Sequence, residues 1–243
     1  MKRKTHCLFF ILTCLATLPA CAGPTTYSAE AIEAKVVDAD TKQLLEGVVV
    51  VARWVLEEST IVSIKVREAG NLVILETVTD KGGKFIFSAW GPIQHWKGSR
   101  LTYMDPEILI FKSGYEYQRL NNYDSATSEQ HAGKVYSPRK SQWHGKTIEM
   151  KPFGGTIGAY EDHFESFNKK LERIAADRPK ECNWKKIPNT IRAMNWERKR
   201  LIAQGVNPNT LSTLDNELLM NDAFYTDKGN CGSPKEFFKG FQP

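Results

Sequence analysis

Hydrophobic positions along this chain change period once. Through residues 32–153 they come in short runs separated by turn residues, and after Gly154-Gly155 they recur at helical spacing. Ile32-Glu33-Ala34-Lys35-Val36 alternates apolar and polar, as a strand with one buried face does. Residues 48–56 form a β-branched run long enough for a central strand, followed by residues 61–66 and 72–79. Asp80-Lys81-Gly82-Gly83 is hairpin chemistry, because glycine supplies the positive φ that tight loops require. Residues 85–87, 108–111 and 147–150 complete the strand set, with Ser113-Gly114 ending the middle one. The pattern predicts a β-sandwich over 32–153. Within it, residues 115–145 are polar, contain several tyrosines and show no clear period, the pattern of a functional loop or a weakly ordered flap.

The second part reads differently. Tyr160, Phe164, Phe167, Leu171 and Ile174 recur at steps of four and three, which predicts one amphipathic helix ending at Asp177-Arg178-Pro179. Residues 188–204 predict a second, with Ile191, Met194, Leu201 and Ile202 on its face and Gly205 as its stop. Asn209 is the expected cap of a third that carries Leu211, Leu214 and Leu218, and Phe237, Phe238 and Phe241 require burial. The expected class is mainly β with α: an N-terminal sandwich, then a helical part over 156–243 that packs on the sandwich or forms a small subdomain.

The first residues concern compartment, not fold. Lys2, Arg3 and Lys4 precede an apolar run over residues 8–18 that is too short to span a bilayer, so residues 1–20 read as a removed export signal. Leu18-Pro19-Ala20-Cys21 resembles the lipobox of bacterial lipoproteins, although Pro19 departs from the small residue usual there. That resemblance implies that Cys21 becomes a diacylglyceryl thioether and the mature N-terminus, with residues 21–31 as a short tether. Ala22 in place of Asp implies outer-membrane sorting if the host is Gram-negative. Ala20-Cys21-Ala22 also fits ordinary small-x-small cleavage, which would release a soluble chain starting at Gly23.

Composition adds two limits. The +5 formal charge includes three leader residues, so the mature chain carries 30 basic against 28 acidic residues without a dense basic run, and a nucleic-acid partner is not expected. Once the leader and Cys21 are set aside, Cys182 and Cys231 remain as a single pair, for which a disulfide is the default in an oxidising compartment.

Ala34-Lys35-Val36-Val37-Asp38, Leu45-Glu46-Gly47-Val48-Val49-Val50, Thr79-Asp80-Lys81-Gly82-Gly83-Lys84-Phe85 and Phe111-Lys112-Ser113-Gly114-Tyr115 together carry a resemblance. Residues 32–115 are similar to the carboxypeptidase regulatory-like domain, which implies a transthyretin- or Ig-like β-sandwich and a module that accompanies other activities or serves without catalysis. The insertion at residues 57–71 and the long run before Thr147 depart from that pattern.

Candidate chemistry is sparse. His95, His131, His144 and His163 show no metal-binding spacing, and neither a metal nor a cofactor is expected. Asp38, Asp40 and Asp80 lie in turns where oxygen ligands suit calcium, although capping of their own bends is the simpler role. Glu161, Asp162 and Glu165 flank His163 on the polar side of the first helix, a solvated face or, alternatively, part of a hydrolase or glycan-processing site between sandwich and helices. The strongest lead is aromatic. Trp90, Trp96, Tyr103, Tyr117, Tyr123 and Trp143, with Tyr115 and Tyr136 among them, cluster in the long insertion 115–145 and its approaches and suit stacking on a glycan or receipt of a peptide, or else seal the end of the core. The expected function is a non-catalytic, lipid-anchored envelope protein that binds or scaffolds an envelope protein or glycan. An inhibitor-like accessory protein also fits.

Overall fold

The computed structural model describes residues 25–59, 66–95, 98–102, 104–123, 138–176 and 178–240. Ten strands precede the helices among them. They are β1 (Thr25–Ala29), β2 (Ile32–Asp38), β3 (Val49–Ser59), β4 (Val66–Val78), β5 (Lys84–Phe87), β6 (Trp90–His95), β7 (Arg100–Leu101), β8 (Glu107–Phe111), β9 (Gln118–Leu120) and β10 (Thr147–Met150). One sheet has the order β10-β2-β5, with β10 parallel to β2; the second has β4-β3-β8-β9, with β7 also on β3; β1 and β6 form a small ribbon. The helices are α1 (Ile157–Ala175), α2 (Pro188–Ala203), α3 (Leu214–Met220) and α4 (Pro234–Lys239). The chain is a β-sandwich followed by helices, as its two periodicities predict.

The layers follow from strand alternation. Val50, Ala52 and Trp54 of β3 and Ile108 and Ile110 of β8 face inward, onto Ile32, Ala34 and Val36 of β2 and Phe85 and Phe87 of β5. The residues between them, Val49, Val51, Leu109 and Phe111, face the other way and meet Phe164, Phe167 and Leu171 of α1 and Ile191 and Met194 of α2. Every residue of β8 is therefore buried, and its run of apolar letters is that of a strand covered on both faces. The Asp80–Gly83 hairpin forms where expected. Asp80 Oδ1 accepts from the backbone N–H groups of Gly82 and Lys84 at 2.8 and 2.9 Å. Gly83 has φ 64°, and a Cβ there would meet the Val36 carbonyl oxygen at 2.6 Å.

Several expectations are corrected. Thr25–Ala29, placed in the tether, forms β1, with Tyr27 and Ala29 buried and Thr25–Tyr27 paired to β6. A five-residue strand whose one large apolar side chain is Tyr27 gives too short an alternation to stand out in the sequence. Residues 57–59 and 66–71, read as an insertion, extend the arms of the β3–β4 hairpin, with Glu57 opposite Glu68. Of the stretch 115–145, Gln118–Leu120 is a strand on β8, and residues 138–145 are tied down by Arg139, whose N–H donates to Ser28 and whose carbonyl accepts from Glu30. The third helix starts after Thr213, not Asn209, because the Leu214 N–H is taken by the buried Asn168 side chain of α1 at 2.9 Å. Phe238 is buried and Phe237 packs on Trp184, whereas Phe241 lies outside the described residues.

Thr156 and Ser233 cap α1 and α4 from within the chain leading into them, whereas other helix ends are satisfied from neighbouring elements. The residue before α2, Ile187, has no capping side chain. Glu76 of β4 takes that role, accepting from Asn189 N and Nδ2 at 2.8 and 2.9 Å and from Thr190 N and Oγ1 at 2.6 and 2.7 Å. Asn183 likewise donates to the Ile174 carbonyl at the end of α1, at 3.1 Å. The expected Cys182–Cys231 disulfide is present, with a Cα–Cα distance of 5.5 Å, and joins the segment after α1 to the segment before α4.

Glu76→Ala removes all four bonds to the α2 terminus and is expected to cost about 1–3 kcal/mol in urea denaturation. Glu58→Ala, which breaks an exposed pair with Arg67, should change stability by no more than about 0.5 kcal/mol. Reduction of Cys182–Cys231, which are 49 residues apart, is expected to lower stability by about 2–4 kcal/mol, read as a dithiothreitol-dependent fall in the urea midpoint.

Candidate functional site

Among the described residues, the aromatic side chains singled out by the sequence do not all gather on one surface. Trp90 packs edge-on against the buried Trp54 with ring centroids 5.2 Å apart and helps to close the sandwich core. Tyr117 lies in the seam between sheet and helix, 4.8 Å from the Phe167 ring and 4.5 Å from His163, and its hydroxyl meets Ser166. Trp143 donates from Nε1 to the Asn121 carbonyl at 3.2 Å and walls a shallow depression with Gln142, Lys146 and Thr147. Tyr123 is exposed at the edge of a charged cleft that contains Arg53, Glu107 and Arg119. Tyr115 donates to Asp38 at 2.8 Å. Trp96, Tyr103, Tyr136, His131 and Cys21 lie outside the described residues.

Other candidates have structural partners. Asp38 Oδ1 caps its own turn through Asp40 N and Thr41 N; the Thr41 backbone bond and the Tyr115 hydroxyl hold its carboxyl below the usual range. Among the described residues no three His, Cys, Asp or Glu side chains are grouped to hold a metal ion. His163 Nε2 accepts from Tyr117 N at 2.7 Å, and burial lowers its basicity. Glu161 accepts from Thr210 Oγ1 and Glu165 from Ser212 N, so this pair fastens the loop before α3 onto α1. Burial raises the Glu165 carboxyl.

The feature best shaped to receive something is a groove between α2 and the end of the second sheet. It encloses about 380 Å³, within the size range of ligand pockets. Val49, Val78 and Phe111 from three adjacent strands make its floor, Ala193 and Trp196 one wall, and Lys112, Arg192, Glu197 and Arg200 are its charged lining. These floor residues are neighbours by register, since Val49 pairs with both Val78 and Phe111. The Trp196 side chain is left 51% exposed, an unusual state for so large an apolar surface.

Hydrogen bonds fix the inner end of the groove. Glu197 is almost fully buried and accepts from Ser113 Oγ and from Arg200 Nε and Nη2, at 2.8 and 2.6 Å for the arginine. Burial pushes its carboxyl up, but bonds from Arg200, Ser113 and Tyr160 outweigh this and hold it below the usual range. Tyr160 also accepts from Gly114 N at 2.9 Å, so α1, α2 and the turn after β8 meet at one cluster. Toward the mouth, the Arg192 guanidinium carbon lies over the Trp196 ring, 5.4 Å from its centroid, and Nη2 donates to Asn189 Oδ1 at 2.9 Å. Lys112 donates to the Glu46 carbonyl at 2.7 Å, and burial lowers the pKa of its ammonium.

None of these groove residues stood out as a binding residue in the sequence. The available signal is Trp196 itself, a tryptophan four residues after Arg192 and off the face defined by Ile191, Met194 and Leu201.

No family model and no curated protein matches the chain. Solved structures similar to parts of it include the backbone protein of the group B streptococcus pilus 2b, at 16% identity and TM-score 0.26 over 52% of this chain and 42% of that one. Another is 3-chlorocatechol 1,2-dioxygenase from Rhodococcus opacus 1CP, at 15% identity and TM-score 0.26 over 51% and 60%. A third is a 9R-lipoxygenase from Cyanothece PCC8801, at 10% identity and TM-score 0.23 over 85% and 29%. The chain spans less than two thirds of each of these proteins, and likenesses this distant carry no argument about its function.

Away from the groove, Asp105 is fully buried beside Arg139, 3.8 Å from its Nε. Burial pushes its carboxyl up to about 7, and Arg139 pulls it partly back. The unfolded chain releases this proton near 3.8, so between about pH 4 and 7 the folded state holds a proton that the unfolded state has lost. Stability contributed by this group therefore falls as pH rises through that window and levels off above it. Asp105→Asn is expected to flatten the decline, measured as the difference between urea midpoints at about pH 4 and about pH 8.

Proposed function

We propose that this chain is a non-catalytic, lipid-anchored protein of the cell envelope, and that its α2 groove docks a partner. The observation that carries the docking role is the half-exposed Trp196, braced by Arg192, over a floor of Val49, Val78 and Phe111. Strands β3, β4 and β8 supply the floor and α2 one wall, so much of the recess is formed before anything enters, which lowers the ordering cost of binding. The basic start, apolar run and Leu18-Pro19-Ala20-Cys21 support export and anchorage, and the Cys182–Cys231 disulfide suits an oxidising compartment. The sandwich fits the resemblance of residues 32–115 to the carboxypeptidase regulatory-like domain, whose members serve as modules beside other activities. In a Gram-negative host, Ala22 directs the anchored form to the outer membrane, with the folded part in the periplasm.

Two measurements test this reading. Cell fractionation is expected to find the wild-type chain in the membrane fraction carrying lipid on Cys21, and Cys21→Ala in the soluble fraction. An intact mass that begins at unmodified Gly23 would remove the anchor. A photo-crosslinking amino acid at position 196 should give a discrete adduct in cells, whereas one at the exposed Ile86 of β5, on the outer face of the first sheet, should give none.

A further inference from the structure

The groove selects by charge. Its charged side chains are Lys112, Arg192, Arg200 and Glu197, a net charge of +2. Glu197 and Arg200 neutralise each other through two hydrogen bonds, and Arg200 Nη1 is also held by Gln204 at 3.1 Å. Glu76, below the N-terminus of α2, is engaged by Asn189 and Thr190. The remaining positive charge is at the mouth, on Lys112 and Arg192. Glu46 acts on Lys112 from an exposed position, where water screens it.

We propose that the groove binds a segment of a partner protein that presents an acidic side chain next to a bulky apolar one. This rests on the docking role argued above and specifies the chemistry of the partner. Arg192 keeps donors to spare, because its one hydrogen bond among the described residues leaves from Nη2 and takes one of five N–H groups. Its position over the Trp196 ring and the bond to Asn189 hold the guanidinium, so a carboxylate meets a positioned cation with less rotamer entropy to lose. Lys112 reinforces the attraction, since a carboxylate replaces the solvation that burial has taken from its ammonium. Beside these cations, Val78 and Trp196 offer an apolar surface that continues down to Val49 and Phe111. An aliphatic or aromatic side chain buries its area there while its acidic neighbour pairs at the rim.

The shape argues against two other anionic partners. Val49 and Phe111 are 5% and 3% exposed, below the rim, and a flat lipid surface does not reach them. A phosphodiester backbone carries no apolar side chain to fill the floor, and its bases would need more than one stacking platform.

The test is fluorescence-anisotropy titration of the mature, disulfide-bonded chain with three labelled peptides, in which leucine alternates with glutamate, glutamine or lysine. The glutamate peptide should bind with a Kd between about 10 μM and 1 mM, and the glutamine peptide about tenfold more weakly. Arg192→Glu should lose at least about tenfold for the glutamate peptide and gain binding of the lysine peptide, a reversal that misfolding does not produce. Arg192→Gln should lose the glutamate preference alone, and Trp196→Ala should weaken the glutamate and glutamine peptides alike. Equal binding of glutamate and glutamine peptides would overturn the charge preference and leave docking standing. Binding of neither, or binding unchanged by Trp196→Ala and Arg192→Glu, would overturn both. Arg192-dependent capture by phosphatidylglycerol vesicles, with no peptide binding, would overturn the proposal in favour of a lipid surface.

Discussion

Burial of the second sheet on both faces is the condition on which the rest of the molecule depends. Ile108 and Ile110 point into the sandwich, and Leu109 and Phe111 point under the helices, so one short strand contributes to two cores. Each such side chain contributes about 1.5–3 kcal/mol when taken out of water. Without the helical layer, Val49, Val51, Ile74, Leu109 and Phe111 would form an exposed apolar sheet face. Without that face, Phe164, Phe167 and Leu171 of α1 would have nothing to cover. The helices are therefore the third layer of the sandwich and complete its burial.

Two apolar layers cannot meet without enclosing polar groups, and here those groups serve as fasteners. Arg53 and Glu107 face the helices from adjacent strands, and Glu107 is paired with Arg53, Arg119 and, across the seam, Lys170 of α1 at 3.1 Å. Burial pushes the Glu107 carboxyl up, but the three cations outweigh it and keep it ionised. Glu76 fastens α2 to β4, while Asn168 holds the start of α3 against α1. The polar contacts thus decide where along the sheet each helix begins, and apolar burial decides that it lies on the sheet at all.

The groove is a consequence of that arrangement. Glu76 sets the start of α2, and the Glu197 cluster holds its later turns to the chain that follows β8, so a gap persists where Val49, Val78 and Phe111 end. Trp196 faces this gap because it is off the helix's core face. A recess of this origin is as stable as the sandwich around it, which suits recognition of a partner without a large change of shape.

Much of the architecture was legible in the chain: the alternation of β2, the runs of β3 and β8, the Asp80–Gly83 hairpin, the four-three spacing of α1 and the cysteine pair. These are local properties, because period and turn chemistry are set by residues close in sequence. Among the described residues the aromatic candidates divide: Trp90 and Trp143 pack against the sandwich core, Tyr117 lies in the seam with α1, and Tyr123 meets Trp143 through Asn121. The residues that do converge on the groove, from Gly47 to Arg200, are separated by up to 153 positions. By itself the sequence determined which faces must be buried and where the chain must turn. Only the tertiary structure decided which side chains meet, because Glu76 reaches α2, and Lys112 comes near Arg192, through strand register and layer packing that no local pattern records.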